Sequence, residues 1–140
     1  MRTAQVEVIL FRKEADEIRY LLFKRNARKG GFWQPITGGV EEGESIEDGL
    51  KRELLEETGF GSSQRTIDLH FNFNLNFPER EGGVLVEYVY GAELAAGQEP
   101  KLSSEHTEYQ WVDFDEALRL LKWDENKSAL RKLNDILTKE

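Results

Sequence analysis

The chain has 140 residues, 39% hydrophobic and 33% charged, with a formal net charge of −8. That length suits one domain with its own core, and the acid excess disfavours a nucleic acid polymer as partner. No apolar run is long enough for a membrane helix, and the lack of cysteine excludes disulfides, thiol nucleophiles and thiolate metal sites, which suits a cytoplasmic setting.

From Met1 to Phe11 the chain alternates Val6, Glu7, Val8, with neither the apolar centre nor the small-residue cleavage site of a signal peptide. Ala4–Phe11 and Ile18–Phe23 are expected to be strands joined by the polar turn Arg12–Glu17. Ser45–Thr58 has the marks of a helix: Ser45 suits the N-cap, Gly59 stops it, and Ile46, Leu50 and Leu54 form an apolar stripe. In Ile67–Phe77 the residues Ile67, Leu69, Phe71, Phe73, Leu75 and Phe77 alternate with polar ones, as in a half-buried strand. A turn at Pro78–Gly83 leads to a strand over Val84–Ala92, and Tyr109–Val112 is a short further strand. Asp113 and Glu116 form a capping pair ahead of Ala117–Leu121, and a last helix from Asp124 puts Ala129, Leu130, Leu133 and Leu137 on one face. Strands flanked by helices front and back imply an α/β/α sandwich around a central mixed sheet.

The chemistry concentrates on the helix at Ser45–Thr58. Glu53, Glu56 and Glu57 stand at i, i+3 and i+4, which puts three carboxylates on one face. Like charges so spaced repel by a few tenths of a kcal/mol per pair, and a cation among them reverses that sign. Hard oxygen ligands with no cysteine point to Mg²⁺, or Mn²⁺, over Zn²⁺. The glycines of the preceding loop, Thr37–Glu44, let backbone approach a ligand and free a carbonyl as a further donor. Arg52 adjoins Glu53 and lies four before Glu56, so it can orient a carboxylate. Taken alone, such a glutamate cluster is more often a solvated face.

The full spacing decides between the two. From Gly38 to Phe60 the chain reads G-x5-E-x7-R-E-U-x-E-E-x-G-U, where U is a bulky apolar residue. A chance match is on the order of one in a million for a chain this long. In this stretch the sequence resembles the Nudix (MutT-like) hydrolases at every fixed position. The resemblance implies the Nudix fold over 1–140 as a single domain, with its signature box at 38–60. It implies metal ligation by Glu53, Glu56, Glu57 and the Gly38 carbonyl, with Arg52 bracing a catalytic glutamate and Glu44 structural. Gly49 departs from the commoner helix-forming residue and is either a tolerated defect or room for the loop to lie close.

The implied reaction is attack by water at phosphorus, splitting a (d)NTP-like compound into monophosphate and pyrophosphate, with divalent ions offsetting the phosphate charge. The general base is expected outside the box: Glu105 first, with Glu108, Glu87 or a box glutamate as rivals, and His106 as a loop hydrogen-bonder. Lys24, Arg25, Arg28 and Lys29 form the one dense basic run, from which Lys24 and Arg25 are expected at the phosphates. Trp33 and Gln34 are expected at the substrate, with Phe32 anchoring the loop. The run Phe32–Glu41, Glu105–Trp111, Trp123 and Asn126 resemble the dATP and dihydroneopterin triphosphate pyrophosphatases. Two other readings stay open: a dinucleoside polyphosphate hydrolase, and a Nudix-fold module that senses a nucleotide without turning it over. The oligomeric state is left as monomer or homodimer.

Overall fold

The computed structural model describes residues 4–76 and 84–140. Strands β1 (Ala4–Glu14) and β2 (Glu17–Arg25) form a hairpin. A single 3₁₀ turn, Ala27–Lys29, precedes two short strands, β3 (Trp33–Gln34) and β4 (Ile36–Gly39). Helix α1 (Ile46–Thr58) follows, then β5 (Arg65–Asn76), β6 (Val84–Glu93) and β7 (His106–Val112). Helices α2 (Phe114–Leu120) and α3 (Asp124–Thr138) complete the described chain. The sheet is mixed: β1 and β6 run parallel, and the other pairings are antiparallel.

Each face of the sheet carries its own apolar layer, as alternation along a strand requires. Val6, Val8 and Leu10 of β1 pack with Leu50 and Leu54 of α1. Ile9 and Phe11 of the same strand pack with Ala129, Leu130, Leu133 and Leu137 of α3 on the other side. This is the expected α/β/α sandwich with a central mixed sheet.

Three local expectations need correction. The first hairpin is tighter than Arg12–Glu17, because both strands run on through polar residues and turn at Ala15, whose φ is +53°. Strands β3 and β4 were not anticipated; at two and four residues around Pro35 they are too short to display a period. Strand β7 starts at His106, ahead of Tyr109, so His106 belongs to the sheet and is buried. The strand expected over Ile67–Phe77 is present as far as Asn76, while Phe77 and the turn Pro78–Gly83 lie outside the described residues.

One pairing positions the functional residues. The first half of β1 pairs with β4 and its second half with β2. The sheet therefore opens beside Gly38 and Gly39, where β4 leaves for α1.

Candidate active site

Helix α1 is fixed at both ends by its sequence. Ser45 Oγ accepts from Asp48 N at 3.1 Å, and Gly59 takes the left-handed conformation that closes the last turn. Between the caps, Leu50 and Leu54 anchor the helix to the sheet, and Glu53 and Glu57 are buried beside them.

Arg52 organises the cluster. Its Nε and Nη2 donate to the Glu44 carboxylate at 2.9 and 3.0 Å, its Nη1 to Glu53 at 2.9 Å and to Glu56 at 3.2 Å. Nη2 also donates to the Gly39 carbonyl at 2.7 Å, so one planar side chain ties helix, loop and strand together. Glu44 in turn accepts from Glu41 N at 2.9 Å. Gly49 is explained by the same loop: a Cβ there would lie 3.1 Å from Glu44 Oε1 and 3.2 Å from a Val40 methyl. It makes room for the loop.

The carboxylates sit in unlike surroundings. Burial pushes the Glu53 carboxyl up, against the opposing pull of Arg52. Glu57 is held below its usual value, chiefly by His106 and further by Ser103. Ser103 Oγ donates to Glu57 Oε2 at 2.7 Å, while His106 Nδ1 lies 3.3 Å from the same oxygen, off the line of a full hydrogen bond. Glu56 is exposed.

Among the described residues no three acidic or imidazole groups already converge as a metal cage. Arg52 fills the space between Glu53 and Glu56. The residues nevertheless fit a hard divalent cation. A Cβ on Gly38 would fall 2.0 Å from Glu53 Cδ, so only glycine lets this backbone lie against the carboxylate. All donors gathered there are oxygens, the set that Mg²⁺ and Mn²⁺ prefer.

The glutamates line a cleft of about 460 Å³ together with Arg25, Thr37, Arg52 and Glu105. A second cavity of about 700 Å³ shares Arg25 and Thr37 with it and is walled by Phe32 and Trp123. The two rings meet edge to face at 5.6 Å, and Lys122 Nζ lies 4.8 Å from the Trp123 ring. Arg25 Nε is buried without a hydrogen-bond partner at this junction.

The structure therefore brings together Glu53, Glu56, Glu57, Arg52, Gly38, Glu105 and Arg25, and sets Gln34 in the adjoining cavity. It does not bring Lys24 or Trp33 there. Lys24 precedes Arg25 on β2, so the two side chains leave on opposite faces, and Lys24 pairs with Glu108 at 3.5 Å. That contact also takes Glu108 away from the cleft. Trp33 packs against the α3-side core while Phe32 lines the cavity, the reverse of the expectation, because β3 turns the tryptophan inward. Ser103, Gln5 and Glu7 were not singled out in the sequence. For Glu7, a carboxylate inside an apolar strand was the available signal.

The NUDIX domain model matches residues 1–133. A Myxococcus xanthus octanoyltransferase is 31% identical over 94% of this chain, which spans 36% of that protein. The asymmetrical bis(5'-nucleosyl)-tetraphosphatase of Mus musculus is 34% identical over 75% of this chain and 71% of its own length. A Nudix hydrolase structure from Listeria monocytogenes superposes with a TM-score of 0.86 at 31% identity, covering 96% of this chain and 94% of that one. The Escherichia coli dihydroneopterin triphosphate pyrophosphohydrolase shares the fold with a TM-score of 0.79 at 24% identity, over 94% of each chain. With the box glutamates, their arginine brace and the sandwich around them all in place, the chain belongs to the Nudix hydrolase family.

Proposed function

We propose that this chain, as a single domain over its 140 residues, hydrolyses a nucleoside triphosphate-like compound to the monophosphate and pyrophosphate, using Mg²⁺. The observation that carries the reading is the junction of two cavities at Arg25: a glutamate cleft on one side, an aromatic-walled cavity on the other. A triphosphate in the first would leave its head group in the second. Glu53, Glu56, Glu57 and the Gly38 carbonyl would hold the metal, with Mn²⁺ an acceptable substitute. When bound, Mg²⁺ supplies positive charge against the phosphate oxygens and acidifies water.

The chain's own residues do the rest. Arg52 fixes Glu53 and Glu56 in orientation, and Arg25, which lines both cavities, offers its guanidinium to a phosphate oxygen. Glu105 is the proposed general base, taking a proton from the attacking water. It lines the cleft, and Lys29 Nζ donates to its Oε1 at 2.9 Å, leaving Oε2 as the oxygen to take the proton. Replacing Glu105 by Gln should lower kcat by about 10²–10⁴-fold with little change in KM. An unchanged kcat would pass the role to one of the rivals, a box glutamate first. The cysteine-free composition supports a cytoplasmic setting.

A dinucleoside polyphosphate is the second reading, favoured by the likeness to the mouse tetraphosphatase. The test is a panel of (d)NTPs, dinucleoside polyphosphates and dihydroneopterin triphosphate with Mg²⁺, run in heavy-oxygen water with products identified. Pyrophosphate release from a triphosphate supports the first reading. Turnover confined to dinucleoside polyphosphates supports the second, and binding without turnover defeats both.

A further inference from the structure

The connection from β6 to β7 ends in a turn, Ser103 to Glu105, that is fastened from several sides. Glu105 stands on no helix or strand and is the last residue before β7. Its main-chain N–H donates to Ser103 Oγ at 3.2 Å, and its carbonyl accepts from Asn26 N at 2.9 Å. Its carboxylate accepts from Lys29 Nζ at 2.9 Å. The Asn26 side chain works at both ends. Nδ2 donates to the Ser104 carbonyl at 3.0 Å, and Oδ1 accepts from Lys29 N at 3.1 Å. Asn26 follows Arg25 at the end of β2, so the turn is held beside the arginine that lines both cavities.

Ser103 joins this turn to the glutamate cluster. Its Oγ accepts from Glu105 N, and the one proton of the hydroxyl goes to Glu57 Oε2 at 2.7 Å. A serine turn needs only the first of these bonds. The second reaches across 46 residues to a carboxylate that is 8% exposed. His106 Nδ1 faces the same oxygen from 3.3 Å. Gln34 Nε2 lies 3.5 Å from the other ring nitrogen, and an amide nitrogen only donates, so the ring proton stays on Nδ1, toward Glu57. With Oε2 taken by Ser103 and faced by His106, Oε1 is the Glu57 oxygen that remains for a metal. The bond also stops the carboxylate from rotating freely, which is what a group behind a metal ligand contributes.

We infer that Ser103 is a positioning residue for the hydrolysis: one hydroxyl orients the Glu57 carboxylate and holds the main chain of Glu105. The metal ligand and the base are thereby set by the same atom. Asn26 acts on the turn alone, through the Ser104 carbonyl and Lys29 N. Loss of Ser103 Oγ therefore loosens both ligand and base, whereas loss of the Asn26 carboxamide loosens the base only. This rests on the proposed roles of Glu57 as metal ligand and Glu105 as base, and a separate measurement reports on each.

The test compares Ser103→Ala, Asn26→Ala, Glu105→Gln and the Ser103→Ala/Glu105→Gln pair in the full chain. One measurement is Mn²⁺ titration of the substrate-free protein, read from the electron paramagnetic resonance of the free ion. The other is kcat and KM at saturating Mg²⁺ for the compound turned over fastest in the nucleotide panel. Ser103→Ala should weaken Mn²⁺ binding by about 10–100-fold. It should also lower kcat by about tenfold or more with KM little changed. Asn26→Ala should lower kcat and leave Mn²⁺ affinity as in wild type. On top of Glu105→Gln, Ser103→Ala should add little to the loss in kcat while still weakening Mn²⁺, since residues that act together are not additive. A misfolded fraction would reduce the amount of Mn²⁺ bound and not the affinity. Wild-type Mn²⁺ affinity in Ser103→Ala overturns the hold on Glu57. A kcat loss that multiplies in full on top of Glu105→Gln overturns the tie to the base. If Glu105→Gln alone leaves kcat unchanged, the reading of Glu105 as base fails by itself, and Mn²⁺ affinity still decides whether Ser103 positions Glu57.

Discussion

Arg52 shows how much one side chain can hold. Its guanidinium meets Glu44, Glu53, Glu56 and the Gly39 carbonyl, and a lysine could satisfy only part of that set from a single point charge. Arg52→Lys should therefore cost about 10–100-fold in metal affinity or activity, the usual effect of removing a group that orients ligands. Activity at saturating Mg²⁺ against a Mg²⁺ titration separates the two. Gly38→Ala is the harsher change, since its Cβ would fall inside the Glu53 carboxyl. Metal-dependent activity should be lost while far-ultraviolet circular dichroism stays folded.

Glu7 makes a prediction about pH. Its ordinary value is 4.5 and the fold raises it, so its contribution to stability is full below that value and is lost as pH rises through the folded one. Between weakly acid and alkaline pH the Tm should fall more in the wild type than in Glu7→Gln. Parallel Tm curves would show that the carboxyl is not buried in the neutral form. At this scale the glutamates, Arg52 and Gly38 were legible because local spacing along one loop and helix carries them. Arg25 over Lys24, and Phe32 over Trp33, were not, since which face a strand residue takes depends on a pairing the local sequence does not display.

Among the elements, α1 was readable to the residue because Ser45 and Gly59 mark its ends. β3 and β4 escaped because so few residues show no alternation. β5 carries a bulge at His70, φ +51°, where Asp68 to Asn72 spans only Tyr90 to Tyr88 on β6. The extra residues are even in number, so Ile67, Leu69, Phe71 and Phe73 still pack toward the α3-side core, as their alternation implied. α3 seats on that face through Gly91 of β6, where a Cβ would lie 2.7 Å from Leu133 Cδ1. Gly91→Ala should destabilise by about 1–3 kcal/mol through overpacking, and Leu133→Ala by about 2–5 kcal/mol through the cavity left. Urea denaturation measures each.

For the molecule as a whole, the split pairing of β1 is the decisive feature. It opens the sheet beside Gly38, and α1, the β7 entry and the start of α3 converge around that opening. The sandwich class was legible because the alternation of strand and helix periods determines layers. Arg25, Gln34 and Glu105 were expected at the site from the sequence, whereas the division of that site into two cavities joined at Arg25 was not, because only tertiary packing creates it.

Metal held by the α1 glutamates is what pyrophosphate hydrolysis is proposed to depend on. The most direct measurement is pyrophosphate release from the best nucleotide substrate across a Mg²⁺ titration, for wild type and Glu57→Gln side by side. Turnover should rise with Mg²⁺, vanish with chelator, and drop on the order of 10²-fold or more in the variant. Turnover that ignores Mg²⁺, or that is the same in Glu57→Gln as in wild type, would contradict it.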